Sequence, residues 1–174
     1  SGNFLIEDAT NSFADRFVIN SSGNIGINNN NPQTSLDVTG DITGTGNFTL
    51  TSTDSGSSAA PEILLFRDSS SPADADYLGQ IKFQGRDDNG TTEQYAKITG
   101  KIGDASAGGE DGILEFMLRK NSTNNICGRF TSTALKLING TGLEVAGDIT
   151  STGNLSITSA APQIFLTDSN ADSD

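Results

Sequence analysis

The sequence predicts an all-β protein in which slender, trimeric, fibrous β shaft segments flank a small antiparallel β-meander of sandwich-like character. Three observations carry this reading. Apolar and polar residues alternate at period two through most of the chain, while three-and-four spacing is scarce and Gly or Asn interrupts almost every stretch. One phrase is told twice: Leu36-Asp37-Val38-Thr39-Gly40-Asp41-Ile42-Thr43 returns as Leu143-Glu144-Val145-Ala146-Gly147-Asp148-Ile149-Thr150. Only 33% of the 174 residues are hydrophobic and 20 are Gly, so one chain alone has little apolar surface to bury.

The repeat sets the expected organisation. The two copies run in step from Leu36 and Leu143 to Ser52 and Ser159; the first copy then carries a polar insertion, Thr53 to Ser58, before Ala59-Ala60-Pro61 meets Ala160-Ala161-Pro162. Asn3 to Asp8 has the pattern of Ile63 to Asp68 and of Gln163 to Asp168, so both ends are expected to lie inside repeat units of a longer protein. The expected divisions are residues 1–16, the end of a preceding module; 17–52, a slender shaft repeat; 53–60, a loop; 61–131, the meander; 132–159, a second shaft repeat; and 160–174, the start of a further, truncated module.

Taken in order, Phe17 to Ile27 reads as two short strands around a Ser-Gly-Asn turn, and Asn28 to Pro32 as a polar break. In the next strand Leu36, Val38 and Ile42 point one way and Asp37, Thr39 and Asp41 the other, the signature of a half-buried strand. Thr43 to Asn47 turns the chain, and Phe48 and Leu50 resume the apolar face.

From Pro61 the strands lengthen. Tyr77, Ile81 and Phe83 are expected on one face, with Asp87-Asp88-Asn89-Gly90 a strong turn before Tyr95 to Ile102 returns. Gly103 to Gly112 links this hairpin to Ile113 to Lys120, where Leu114, Phe116 and Leu118 form the best core stripe. Asn121 to Asn125 is expected to turn again, followed by Ile126, Gly128 and Phe130 and then Leu135 and Leu137, making a meander of five or six strands. The expected module core is Tyr77, Ile81, Phe83, Leu114, Phe116, Leu118 and Phe130, inside each protomer.

A slender repeat with one thin apolar stripe cannot offset the roughly 1–2 kcal/mol of backbone entropy lost per ordered residue. Three identical parallel chains about a common axis would bury the stripe and let each exposed strand edge pair with a neighbour. The residues expected at that axis are Leu36, Val38, Ile42, Phe48 and Leu50 in the first copy, and Leu143, Val145, Ile149, Leu155 and Ile157 in the second.

Composition narrows the partners. A net charge of −12 with only ten Lys and Arg disfavours nucleic acid, whose phosphates draw affinity from cations, and an anionic membrane surface for the same reason. No long apolar run or basic amphipathic stretch is present, so no membrane contact is expected. Cys127 is single and cannot form a disulfide within the chain, which leaves packing and assembly to supply stability.

Catalytic chemistry has few candidates. The chain has no His, so Ser/His/Asp or Cys/His nucleophilic catalysis and His-ligated zinc are excluded within it. Asp87 with Asp88 and Glu110 with Asp111 are possible acid and base pairs, but they lie in Gly-rich turns where acidic residues are ordinarily solvated turn formers. Asp168 to Asp174 has the alternating oxygens of a calcium loop without the Gly expected sixth, and reads better as a polar loop. No catalytic residue, metal or cofactor is expected.

Arg16 to Leu50, "RFVINSSGNIGINNNNPQTSLDVTGDITGTGNFTL", resembles segments of tail fibres and related appendage proteins of bacterial viruses. The resemblance lies in a Gly-Asn-x-Gly-Ile-x stretch, a Pro and a Leu-x-Val-x-Gly-x-Ile phrase in succession. Leu143 to Ile149 and the closing "APQIFLTDSNADSD" look like the same family. Where the family phrase continues Gly-Ile-Gly and then Thr or Ser, this chain has Gly26-Ile27-Asn28-Asn29. The resemblance implies a non-enzymatic structural protein of the virion, extracellular and homotrimeric. Its other partners would be tail or baseplate proteins, and a host receptor reached through a region outside this segment. Similar phrases occur in bacterial surface proteins, so a cell-surface adhesin or extracellular filament subunit is the alternative.

Overall fold

The computed structural model describes residues 2–12, 14–154, 156 and 158; the expected axis residues Leu155 and Ile157 and the Asp-rich stretch 168–174 lie outside them. The protein is all-β. Nine strands and no helix are present among the described residues, in two compact units, Ser1–Ile63 and Leu64–Asp174.

In the first unit, β1 (Phe4–Asp8), β2 (Ala14–Ile19), β3 (Ile25–Ile27) and β4 (Leu36–Val38) form one sheet in chain order. Polar residues with local hydrogen bonds make the turns. Asn20 Oδ1 accepts from the backbone N–H of Ser22 at 2.9 Å and of Asn24 at 3.0 Å, while Gly23 takes a φ of +83° that side chains resist. β1 to β3 are antiparallel, and β4 lies parallel to β3 with Ile25 beside Leu36 and Ile27 beside Val38. The connection between these two parallel strands, residues 28–35, is held down by Pro32. Its carbonyl accepts from the side chains of Asn20 and Asn24, both at 3.2 Å. Val18 is fully buried on this side of the sheet, with Gly26 as its cross-strand partner.

The boundary expected at residue 16 therefore falls inside β2, because β1 belongs to the same sheet as the slender repeat. The strand expected from Leu36 to Ile42 ends at Val38, and residues 39–76 contain no strand. A strand needs a hydrogen-bonding neighbour, and beyond Val38 the described residues offer none.

The second unit is an antiparallel meander of five strands: β5 (Tyr77–Arg86), β6 (Thr92–Asp104), β7 (Asp111–Lys120), β8 (Thr123–Thr131) and β9 (Leu135–Leu137). The expected Asp-Asp-Asn-Gly turn closes β5 to β6, with Asp87 Oδ1 accepting from the N–H groups of Asn89 and Thr91 and Gly90 at φ +82°. The turn expected over Asn121 to Asn125 is tighter. Asn121 and Ser122 both take positive φ, the geometry of a two-residue hairpin, so β8 already begins at Thr123. β9 hydrogen-bonds to β8, so the meander extends past the expected boundary at residue 131.

Candidate assembly surface

Cross-strand partners in a sheet point to the same face, so the register of the meander fixes its two surfaces. One row runs Ile81, Ile98, Phe116, Gly128, Leu137, and its neighbours carry Phe83, Ala96 and Leu118 on one side and Gly79, Gly100, Leu114, Phe130 and Leu135 on the other. This face has no charged side chain in those rows. The opposite face carries the row Gln80, Thr99, Glu115, Arg129, Lys136, flanked by Lys82, Lys97, Met117 and Lys101.

The charged face closes on itself. Glu115 is 3% exposed and accepts from Arg129 Nε at 2.9 Å and from Arg129 Nη2, with Lys101 Nζ at 3.9 Å. The ammonium groups of Lys101 and Lys97 stand 4.8 Å and 5.9 Å from the Tyr77 ring centre, and the apolar stems of such side chains cover what lies beneath. Thr99 and Met117, at 1% and 3% exposed, are buried on this side. The Thr99 hydroxyl has no hydrogen-bond partner.

The apolar face has no such cover among the described residues. Ile81, Phe83, Leu114, Leu118, Phe130, Leu135 and Leu137 all remain exposed, from 40% at Leu137 to 58% at Leu135. Phe116 packs edge-on against Phe130 with ring centres 5.8 Å apart, and Leu65 lies on Gly79, where a Cβ would meet it at 2.8 Å. Among the described residues the unit contains one sheet and no second layer. The stripe expected to be a core inside each protomer is thus an open face of the single chain.

Tyr77 departs from expectation for a local reason. A register shift between Tyr77 and Gly79 sets Tyr77 opposite Lys101, on the charged face, while Ile81 and Phe83 keep to the apolar one. The expected axis residues are likewise uncovered: Ile42, Phe48, Leu143 and Ile149 are between 72% and 82% exposed, Leu36 is 58%, and Leu50 and Val145 are 40% and 44%. Among the described axis residues, only Val38, beside Ile27 in the first sheet, is half-buried.

Asp87 and Asp88 lie in the β5–β6 turn, and Glu110 and Asp111 stand at the start of β7, near Asp104 at the end of β6. Asp104 is held below the ordinary carboxylate range by hydrogen bonds from the Ser106 backbone and hydroxyl, and Glu110 by its own backbone N–H and that of Gly108. A general acid needs its pKa raised toward neutrality, which is the opposite direction. Asp87 serves its turn. No cluster of His, Cys, Asp or Glu suited to a metal ion occurs among the described residues. Cys127 is half-buried, its thiol directed at the Phe116 carbonyl oxygen at 3.4 Å.

Sequence reasoning found the apolar stripe on β7 and missed the charged row beside it, although Thr99, Glu115 and Arg129 alternate with the apolar residues it named. Comparison with known proteins finds no family model and no curated protein that matches this chain.

Proposed function

We propose that this chain is a structural, non-catalytic segment of a virion fibre of a bacterial virus. It is an extracellular, parallel homotrimeric shaft that joins tail or baseplate proteins to a host-attachment function carried elsewhere in the fibre. The observation that carries the reading is the open apolar face of the meander, continuous over all five strands. Monomeric proteins rarely leave contiguous apolar surface of this kind exposed, and three such faces turned toward a common axis remove it from water. The charged face then looks outward, with Lys97, Lys101 and Arg129 lying over the buried Glu115.

The repeat phrases fit the same arrangement. Ile42, Phe48, Leu143 and Ile149 lie outside the strands and are largely exposed, as the apolar residues of a shaft would be before its other two chains are added. The fibre phrases of residues 16–50 and 143–149 support a trimeric fibre, with a bacterial surface adhesin or filament subunit as the second reading.

Immunogold electron microscopy with antibodies raised to the meander tests the assignment. Label on the tail or fibres of virus particles is the expected result. Label confined to the envelope of uninfected bacterial cells would overturn it in favour of a surface adhesin or filament.

A further inference from the structure

In the first unit the edge of β3 is covered by β4 in parallel, Ile25 beside Leu36, Gly26 beside Asp37 and Ile27 beside Val38. The connecting residues 28–35 lie directly on Gly26, where a Cβ would meet the Asn29 carbonyl oxygen at 2.0 Å and Pro32 Cδ at 3.4 Å. Only a residue without a side chain permits that path.

The second unit repeats the hairpin and lacks the path. Gly128, Arg129 and Phe130 pair with Leu137, Lys136 and Leu135 as Phe17, Val18 and Ile19 pair with Ile27, Gly26 and Ile25. The sequence repeat makes residues 143–145 the counterpart of β4. Lys136, however, stands in the place of Gly26, so its side chain occupies the space the crossover needs. Parallel connections have a fixed hand, which denies the chain the other face. The link is also shorter, five residues (138–142) against eight (28–35). Most of it forms a turn, with Thr141 N–H on the Ile138 carbonyl at 3.2 Å and the Asn139 side chain donating to the Ile126 carbonyl at 2.8 Å. Parallel pairs ordinarily need about a dozen connecting residues and the first unit manages with eight across a Gly, so five residues across Lys136 do not bring residues 143–145 back to their own β9.

We propose that residues 143–145 add in parallel to the outer edge of β9 in a neighbouring copy of this chain, with Leu143 beside Leu135, Glu144 beside Lys136 and Val145 beside Leu137. This deepens the trimeric reading and rests on it. The chemistry matches at each position. Leu143 and Val145 extend the open apolar face, on which Leu135 and Leu137 already stand, and Glu144 reaches the charged face opposite Lys136. β9 is the last strand of its sheet and has no outer neighbour among the described residues. If every copy gives one strand and receives one, the ring closes with no bare edge at this level.

Disulfide trapping tests the proposal. Neighbouring strands lie about 4.8 Å apart, inside the roughly 4.4–6.8 Å between Cα atoms that a disulfide spans. In a Cys127→Ala background, the double variant Lys136→Cys with Glu144→Cys is oxidised mildly, using an equal mixture of isotope-labelled and unlabelled chains, and sedimentation is run in parallel. The expected result is a covalent three-chain species on non-reducing gels, cross-linked peptides of mixed label joining positions 136 and 144, and no linkage in either single variant. A trimer in sedimentation with no 136–144 disulfide, or with one of unmixed label only, would overturn the strand addition and leave the trimer standing. A monomer in sedimentation would overturn both.

Discussion

Glu115 and Arg129 face each other across β7 and β8, the carboxylate 3% exposed and bonded to two nitrogens of one guanidinium. Their pairing fixes which side of the meander is polar. In a strand a one-residue slip exchanges the two faces, and a slip of β8 here would carry Arg129 onto the apolar surface and leave Glu115 with Lys101 alone. The pair therefore acts as a register lock, and it orients the apolar face on which assembly depends.

Replacement of Glu115 by Ala leaves the Arg129 and Lys101 cations side by side without their anion. Removing one partner of a buried pair costs about 3–5 kcal/mol, and the partial exposure of both cations brings the expectation to about 2–3 kcal/mol. Thermal or urea unfolding measures it, and Glu115→Gln, which keeps the hydrogen bonds and loses the charge, should fall between Ala and the native residue.

Gly26→Ala places a methyl group within 2.0 Å of the Asn29 carbonyl. The crossover must lift, taking Pro32 off the Asn20 and Asn24 side chains. A loss of about 2 kcal/mol or more is expected in the first unit, in the upper range for overpacking. Amide exchange at Ile25 and Thr39, whose N–H groups bond to Ser35 and Ile27, should accelerate while the meander is unchanged.

The turn after β1 responds to acid. Asp8 is held below the usual carboxylate range first by the Thr10 hydroxyl at 2.6 Å, then by Arg16 at 3.0 Å and the Thr10 N–H at 3.0 Å. Its pKa is lower folded than unfolded, so its contribution is complete above the unfolded value of about 4 and is lost as pH falls through the lower folded value. Exchange-corrected protection at Thr10 should drop across that acidic window, and Asp8→Asn should abolish the dependence on pH.

Val145→Asp sets three carboxylates together if this residue lines the assembly axis. Burying an unpaired charge costs several kcal/mol and like charges add repulsion, so the trimer should melt at lower temperature near neutral pH. Glu144→Gln, on the charged side, should cost no more than about 0.5 kcal/mol. Equal losses, or a larger loss at Glu144, would mean that the faces are reversed.

Much of the fold was legible because period-two alternation and turn residues are local. Leu114, Phe116 and Leu118 announced β7, and Asp87 to Gly90 announced the β5–β6 hairpin. What covers a face is not local, so the stripe on β7 said where apolar side chains point and left open whether the same chain meets them. Tyr77 shows the second limit, since alternation counted from Ile81 places it with the apolar residues and a single bulge moves it across the sheet. Leu36 to Ile42 shows the third. The pattern of a strand is present there, but its hydrogen-bonding partner ends at Ile27.

The association state of the 174-residue chain tests the central claim most directly. Sedimentation equilibrium at micromolar concentration should return three times the chain mass of 18.1 kDa, and Leu118→Asp on the open face should lower it. A single-chain mass for the native sequence, with the β circular dichroism of a folded protein, would contradict the account.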